Sequence, residues 1–292
     1  MELRVLNYFL TVVNAKNISR AARQLHVSQP TVSRQLQALE DELGVPLFER
    51  GSREIQLTSD GLYLANQARQ IMALVDKTVT NIHQTKTISG TVLIGCGESQ
   101  MMTTVGQTIN TLKHEHPGIQ VNLFSTDGNT ATERLQTGVF DFAIVMTPLM
   151  DQRYHFLRLP GASRWGLLLP NSSPLARQTT ISAAELTKID LITPQQNGIN
   201  ELFENWLGHT TDDFHVISTY NLLYNASILV NAGVGAALCL DNIINTSHTG
   251  LTFVPLAPPI DSKASLVWLK GRPLSEAAIA FLNQLKTNVE DH

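Results

Sequence analysis

The chain has 292 residues, of which 43% are hydrophobic and 16% charged, with only two cysteines. This composition supports a normal core over two or three folding units and excludes a chain that is disordered throughout. No run of about 18 uncharged apolar residues occurs, so we expect no membrane span. Because Glu2 and Arg4 precede only a short apolar run, the N-terminus is not typical of a signal peptide, and we expect a cytoplasmic protein.

Charge is distributed unevenly along the chain. Residues 1–87 hold 10 Lys and Arg against 8 Asp and Glu, whereas the remainder holds 11 against 17. A polyanion would therefore meet the front of the chain, although this difference alone is small.

Three helices are predicted in the first 44 residues. The first spans Leu3 to Ala15, and the second spans Arg20 to Leu25 with Ser19 as its cap. The third begins after Ser28, whose hydroxyl can accept from a first-turn N–H, and ends at Gly44. Its predicted apolar stripe consists of Val32, Leu36, Leu39 and Leu43.

The outer face of the third helix has the layout of a major-groove reader. Pro30, Arg34 and Gln37 point away from the apolar stripe, and the acids Glu40 to Glu42 are confined to the last turn. Small polar groups and the positive end of the helix dipole therefore lie together at the N-terminus, where they can contact base edges and phosphates. By itself the pattern also fits an ordinary surface helix with a good cap.

The next segment favours the DNA-reading interpretation. A short hairpin is predicted from Leu47 to Leu57, with Arg50 and Arg53 beside its tip, which makes the unit a winged helix-turn-helix. Thr58 then caps a long helix from about Ser59 to Thr85. Its narrow apolar stripe predicts pairing with a second copy, the alternative being packing on its own domain: Leu64, Ala68, Ile71, Val75, Thr78 and Ile82.

These residues carry a resemblance to a known family. The chain resembles the N-terminal signature of the LysR-type transcriptional regulators, without a gap over some 60 residues, at Ala21-Ala22, Leu25, Ser28-Gln29-Pro30, Val32-Ser33, Gln35-Leu36, Leu39-Glu40, Gly44, Leu47-Phe48, Arg50, Leu57-Thr58 and Gly61. The resemblance implies a homodimer or homotetramer, double-stranded DNA with paired, inverted-repeat half-sites, and a small-molecule inducer. An activator of this kind would also contact RNA polymerase.

From residue 88 the pattern changes to alternating strands and helices, so the fold is α/β overall. We divide the chain into a winged helix-turn-helix domain (1–58), a linker helix for dimerisation (59–87) and an effector-binding domain (88–292). A parallel βαβαβ unit is predicted to begin the last domain. Lobe I would take about 90–160 and 263–292, and lobe II about 161–262. Crossing segments near 160 and 262 would resemble type 2 periplasmic binding proteins.

Two sets of site residues follow. The predicted DNA contacts are Ser28, Gln29, Pro30, Thr31, Ser33 and Arg34 on the third helix, with Arg50 and Arg53 on the wing. Ligands in such α/β folds bind at the carboxyl ends of strands, between the lobes. The predicted effector contacts there are Glu98, Ser99, Gln100, Gly128, Asn129, Thr130, Thr147, Pro148, Asn197, Gly198, Tyr220 and Gly233.

The predicted cleft loops carry amides and hydroxyls, with Glu98 and Asp127 but no Arg or Lys. This favours a polar effector that is neutral or zwitterionic. We expect Ser99 and Thr130 to cap helices as well as contact the ligand.

No cofactor, metal or enzymatic activity is expected. Neither a phosphate-binding Gly-Lys-Ser/Thr motif, a Gly-x-Ser-x-Gly elbow nor a convincing catalytic triad occurs. His114 and His116 do not share a helix face, and Cys96 and Cys239 are expected to be separate buried thiols. Two alternatives stay open: a ligand binder or enzyme whose helical front serves dimerisation only, and a constitutive repressor with a vestigial cleft.

Overall fold

The computed structural model describes residues 1–49, 55–82, 88–146, 152–195 and 198–290. The chain forms two compact units, Met1–His83 and Gln84–His292. Within the described residues, no helix is both long enough and apolar enough to cross a membrane.

The first unit is built from four helices: α1 (Leu3–Ala15), α2 (Ile18–Gln24), α3 (Gln29–Leu43) and α4 (Ser59–Ile82). The bounds of α1 are those that the sequence predicts. Helix α2 begins two residues earlier than predicted, because Asn17 and not Ser19 caps it: the Asn17 side chain accepts from the Arg20 N–H at 2.9 Å. The fully buried Phe9 lies in the core of this unit.

Helix α3 has the predicted ends. The Ser28 hydroxyl accepts from the Thr31 N–H at 3.3 Å, and Gly44 closes the helix with a left-handed φ of 74°. Of the predicted apolar stripe, Val32, Leu36 and Leu39 are buried, but Leu43 is 40% exposed. The prediction for Leu43 was wrong because the final turn of the helix extends past the core of the unit.

The base of the predicted wing is present. Phe48 and Leu57 form an antiparallel bridge, and the Glu49 N–H donates to the Gln56 carbonyl oxygen at 2.9 Å. The tip, with Arg50 and Arg53, lies outside the described residues. As predicted, Thr58 caps α4, because its hydroxyl accepts from the Gly61 N–H at 3.0 Å.

The predicted pairing stripe of α4 is divided. Its first half packs into the core of its own unit, where Ala68 is buried and Leu64 and Ile71 are partly buried. For this half, the alternative of packing on its own domain is correct. Further along, Thr78 is exposed and its hydroxyl donates to the Leu74 carbonyl oxygen.

The second unit follows an α/β order. Its elements are β1 (Ser89–Cys96), α5 (Met102–Glu115), β2 (Gly118–Ser125), α6 (Gly128–Thr137), β3 (Phe142–Val145), β4 (Tyr154–Arg158), β5 (Ser163–Pro170), a 3-10 turn (Pro174–Arg177), β6 (Ile181–Ser182), α7 (Ala183–Leu186), β7 (Asp190–Pro194), α8 (Ile199–Leu207), β8 (His215–Tyr220), α9 (Leu223–Asn231), β9 (Ala236–Leu240), β10 (Leu251–Ala257), β11 (Asp261–Ser262), β12 (Ser265–Leu269) and α10 (Glu276–Glu290).

These elements form two lobes, each around its own sheet. The sheet of lobe I has the order β2-β1-β3-β12-β4, and that of lobe II has the order β6-β10-β5-β9-β7-β8, with β11 also paired to β5. The pairs β1–β2 and β1–β3 are parallel, which confirms the predicted βαβαβ unit. Strand β10, which the sequence analysis missed, lies antiparallel to β5.

Two chain segments cross between the lobes, side by side. The Leu159 N–H donates to the Ala264 carbonyl oxygen, and the Trp165 N–H donates to the Ile260 carbonyl oxygen, both at 2.9 Å. The crossings therefore lie where the sequence predicts them, near 160 and 262.

Candidate functional sites

The N-terminal end of α3 presents a compact polar surface. Ser28, Gln29, Pro30 and Arg34 are exposed. The Ser28 and Thr31 hydroxyl oxygens lie 2.8 Å apart, so these two side chains hold each other at the start of the helix. The predicted DNA contacts of α3 thus lie together at its N-terminal end, where Thr31 and Ser33 are half-buried.

The acids of α3 are engaged at its other end. Glu40 Oε1 accepts from the backbone N–H groups of Leu47 and Phe48, at 2.6 and 3.2 Å. Asp41 accepts from the Gln37 amide at 2.9 Å, and Glu42 pairs with the N-terminal ammonium. Because the carboxylates are held there, the N-terminal half of α3 is left to neutral groups and one arginine. Glu40 thereby holds the start of the wing on α3, a role that the sequence pattern alone did not indicate.

A cleft of about 360 Å³ lies between the two lobes. Of the predicted effector residues, Glu98, Gly198 and Tyr220 line it. Its apolar lining includes Trp165 and Leu202. Thr147, Pro148 and Asn197 lie outside the described residues.

The other predicted effector residues are not part of this lining: Ser99, Gln100, Gly128, Asn129, Thr130 and Gly233. Gly233 lines a different cavity, because it follows the C-terminal end of α9 while the first residue of that helix lines the cleft.

The predicted caps also differ. Asp127 caps α6 by accepting from the Thr130 N–H at 2.9 Å, and the Thr130 hydroxyl donates to the same carboxylate. The N-terminus of α5 has no side-chain cap, and the Ser99 hydroxyl is buried without a hydrogen-bond partner among the described residues.

Two cations that the sequence analysis missed also line the cleft. Arg158 ends β4 and Lys263 follows β11, so both lie beside the crossing segments and not in the predicted loops. Asp261, the third acid of the lining, pairs with Arg164 at 3.3 Å. The predicted crossings near 160 and 262 could have indicated these two cations, because residues that flank a crossing between lobes lie close to the space between the lobes.

Glu98 bonds across the cleft. Its Oε2 accepts from the N–H of Leu223, the first residue of α9, at 2.8 Å. This bond joins a loop of lobe I to a helix of lobe II, over 125 residues of sequence.

Comparison with known families decides the class of the chain. Residues 3–62 match the model described as "Bacterial regulatory helix-turn-helix protein, lysR family", and residues 85–290 match "LysR substrate binding domain". The chain belongs to the LysR family. It is a DNA-binding transcriptional regulator with a substrate-binding domain, and the resemblance of its N-terminal signature is confirmed.

Individual relatives agree with this assignment. This LysR-family chain is 26% identical, over 99% of both chains, to the Hca operon transcriptional activator HcaR of Escherichia coli K12. It is 27% identical, over 85% of both chains, to the transcriptional activator IlvY of Salmonella typhimurium. These relatives are regulators, which confirms the prediction that the chain is not an enzyme.

Solved structures share the fold. Full-length CbnR in complex with its target DNA matches with a TM-score of 0.75 at 20% identity, over 99% of this chain and 100% of that one. Full-length BenM matches with a TM-score of 0.55 at 24% identity, over 100% of this chain and 96% of that one. At these identities the likeness supports the two-lobed architecture and no particular ligand.

Burial governs the titratable groups near the cleft of this LysR-family protein. Burial raises the pKa of the Tyr220 phenol well above its ordinary value, and its hydroxyl donates to the Leu238 carbonyl oxygen at 2.8 Å. Tyr220 therefore lines the cleft as a neutral ring tied to the lobe II sheet. For Asp127, burial acts to raise the pKa, but the hydrogen bonds that its carboxylate accepts, those from Thr130 first, together outweigh burial and lower that pKa.

Both cysteines are buried free thiols, as predicted. Burial raises the pKa of Cys96, with a smaller contribution from the charge of Glu98, and burial also raises the pKa of Cys239. Raised pKa values keep both thiols protonated and unreactive. Among the described residues, no cluster of His, Cys, Asp or Glu is arranged to hold a metal ion.

Proposed function

We propose that this regulator reads an inverted repeat in double-stranded DNA through the N-terminal ends of α3 in two copies of the chain. The observation that carries the proposal is the division of α3, with exposed Gln29, Pro30 and Arg34 at one end and engaged acids at the other. A helix N-terminus favours phosphate, and a major groove admits an α-helix.

The proposed contacts have different roles. Gln29 suits an adenine edge, Arg34 suits guanine or a phosphate, and the Thr31 methyl suits thymine. Arg50 and Arg53 on the wing are proposed to neutralise phosphates, which supplies affinity but no sequence information. Binding therefore combines a term that depends steeply on salt with a smaller term that depends on sequence.

Self-association is proposed from exposed apolar side chains in the second unit. Leu123 and Phe124 on β2 and Val216 and Ile217 on β8 are each at least 40% exposed. Large exposed apolar groups that lie together on strands are typical of interaction surfaces. Contacts through them would produce the homodimer or homotetramer that paired half-sites require.

The effector is proposed to bind in the cleft between the lobes. The lining combines an apolar body with both signs of charge, since Arg158 and Lys263 face the same space as Glu98. This lining suits a small zwitterionic ligand, whereas the sequence analysis, without the two cations, left neutral and zwitterionic ligands equal. Ligand binding is proposed to change the arrangement of the paired DNA-binding domains and thereby DNA bending, which requires different ligand affinities in the two arrangements.

The cytoplasm, where bacterial DNA and RNA polymerase lie, is the proposed place of action. As an activator the protein would also contact the polymerase.

Selection from random duplexes tests the DNA-reading proposal. The full chain is incubated with a pool of random duplexes at two salt concentrations, and the bound fraction is sequenced. We expect an enriched inverted repeat with half-sites separated by whole helical turns. Uniform weak binding that disappears at higher salt would overturn the proposal and favour a ligand binder with a basic patch.

A thermal-shift panel tests the cleft. A zwitterionic metabolite that binds only the folded protein must raise its melting temperature. The matched control is Lys263→Ala, which is expected to reduce the shift. A panel without any stabilising metabolite would favour the constitutive repressor.

A further inference from the structure

Glu98 is a carboxylate that lobe I places on a helix N-terminus of lobe II. The first N–H groups of a helix have no partner within the helix and carry the positive end of its dipole. Helix α9 has no side-chain cap of its own, and the Leu223 N–H instead donates to Glu98 Oε2 at 2.8 Å. The bond is partly buried and is between a backbone donor and an ionisable acceptor, the stronger class of hydrogen bond.

Both partners of this bond are anchored in their own lobes. The Leu223 side chain is 2% exposed in the core of lobe II. On the other side, the loop that carries Glu98 follows β1, whose last residue, Cys96, accepts from the Thr126 N–H at 2.9 Å. A displacement of one lobe away from the other is therefore expected to lengthen or break the bond, because its two ends belong to different lobes.

We propose that Glu98 and the Leu223 N–H form an interlobe latch, which holds the cleft closed without a ligand and which a ligand carboxylate must displace. The inference rests on the proposed ligand cleft and adds how that cleft is regulated. The protein's own carboxylate occupies the α9 N-terminus. A zwitterionic ligand brings a carboxylate to exchange for it, while the released Glu98 becomes available to the ligand's ammonium group.

Closure is tested by a distance between the lobes in the full chain. Spin labels are placed by Glu133→Cys on α6 and Glu201→Cys on α8, which are exposed, while the two native cysteines are buried. With Glu98 intact, we expect one narrow distance distribution without a ligand. Glu98→Ala is expected to broaden it and lengthen its mean, whereas Glu98→Gln, which keeps an acceptor oxygen but not the charge, is expected to lie between. An unchanged distribution in Glu98→Ala would overturn the latch.

Hydrogen exchange tests the bond itself and the carboxylate exchange. In Glu98→Ala, exchange in the first turn of α9 is expected to be about tenfold faster or more, the loss typical of a charge-assisted bond. Acetate is the probe for carboxylate binding at the α9 N-terminus: it is expected to restore part of the protection in Glu98→Ala, where that end is free, and not in Glu98→Gln, where the amide oxygen still occupies it. Protection that does not respond to acetate would overturn the claim that the α9 N-terminus reads a carboxylate.

Neither measurement involves DNA. If the latch fails these tests, the proposed duplex recognition still stands, and if duplex selection fails, the latch still stands.

Discussion

The two candidate sites of this protein are assembled in opposite ways. At the N-terminal end of α3, the predicted contacts of the helix all fall within the seven positions from Ser28 to Arg34 and share one helix end. In the cleft, the lining comes from positions as far apart as Glu98, Arg158 and Lys263, from two lobes and two crossing segments. The residues of a local site can therefore be predicted from helix periodicity. The residues of a cleft can be predicted only when it is known which strands and crossing segments are neighbours.

The strongest test of the local site disturbs its supporting backbone. A Cβ at Gly61 would lie 2.0 Å from the Leu47 carbonyl oxygen, so α4 and the wing cannot keep their contact. Gly61→Ala is expected to lower the free energy of unfolding of the first unit by about 3 kcal/mol or more, the upper end for overpacking. Urea denaturation followed by circular dichroism measures this loss.

Gly106 is the matched control. A Cβ there meets no atom within 4 Å, and the residue is exposed within α5. Gly106→Ala should raise stability slightly, since glycine in a helix costs about 0.5–1 kcal/mol relative to alanine. Equal losses in the two variants would contradict the packing account of Gly61.

Removal of Glu40 tests whether the acids of α3 support the DNA-reading surface from behind. Glu40→Ala leaves the Leu47 and Phe48 N–H groups without their acceptor, and we expect a loss of about 2 kcal/mol of unfolding free energy. DNA affinity should fall as well, because the wing is no longer fixed. Glu40→Gln keeps one acceptor oxygen and should retain more of both, so a Gln variant as impaired as the Ala variant would count against this role.

Arg34→Ala tests the reading surface directly. Loss of one base or phosphate contact is expected to weaken duplex binding by about 1–2 kcal/mol without changing stability, because the side chain is exposed. Binding titrations at several salt concentrations distinguish the two roles. A uniform loss with a salt slope smaller by about 1 indicates a phosphate contact, and relaxed preference at one base pair indicates a base contact. Arg69→Ala on α4 is the control, and an Arg34→Ala variant with wild-type affinity would refute the proposed contact.

The smallest expected effect concerns the acid stability of the cleft. The pKa of Asp127 is lowered in the folded protein by the hydrogen bonds that it accepts, those from Thr130 first. The ionised carboxylate therefore adds its full contribution to the free energy of unfolding above the unfolded pKa of about 3.9, and this contribution is lost as pH falls through the lower folded pKa. Thermal unfolding between pH 5 and pH 3 should therefore show a steeper decline in the wild type than in Asp127→Asn. Parallel pH profiles would contradict the assignment.

Much of the first unit follows from the sequence alone. Ser28, Pro30 and Gly44 specify the ends of α3 through local backbone chemistry, and 3.6-residue spacing identifies its buried face. The error at Leu43 and the divided stripe of α4 have the same cause. Spacing shows that a side chain is suited to burial, but only the extent of the neighbouring core shows whether it is covered.

In the second unit the sequence pattern was sufficient to predict the alternating elements, the parallel βαβαβ start and the position of the two crossings, because each depends on patterns within a few tens of residues. The charge of the cleft, in contrast, depends on tertiary contacts. Arg158 and Lys263 line the cleft from positions beside the crossings. The Asp127 carboxylate caps α6, and Glu98 accepts from a helix N-terminus 125 residues away in the sequence. Hydrogen bonds and charge interactions act over a few ångströms. The partners of such residues therefore cannot be known until the fold that brings distant parts of the sequence together is known.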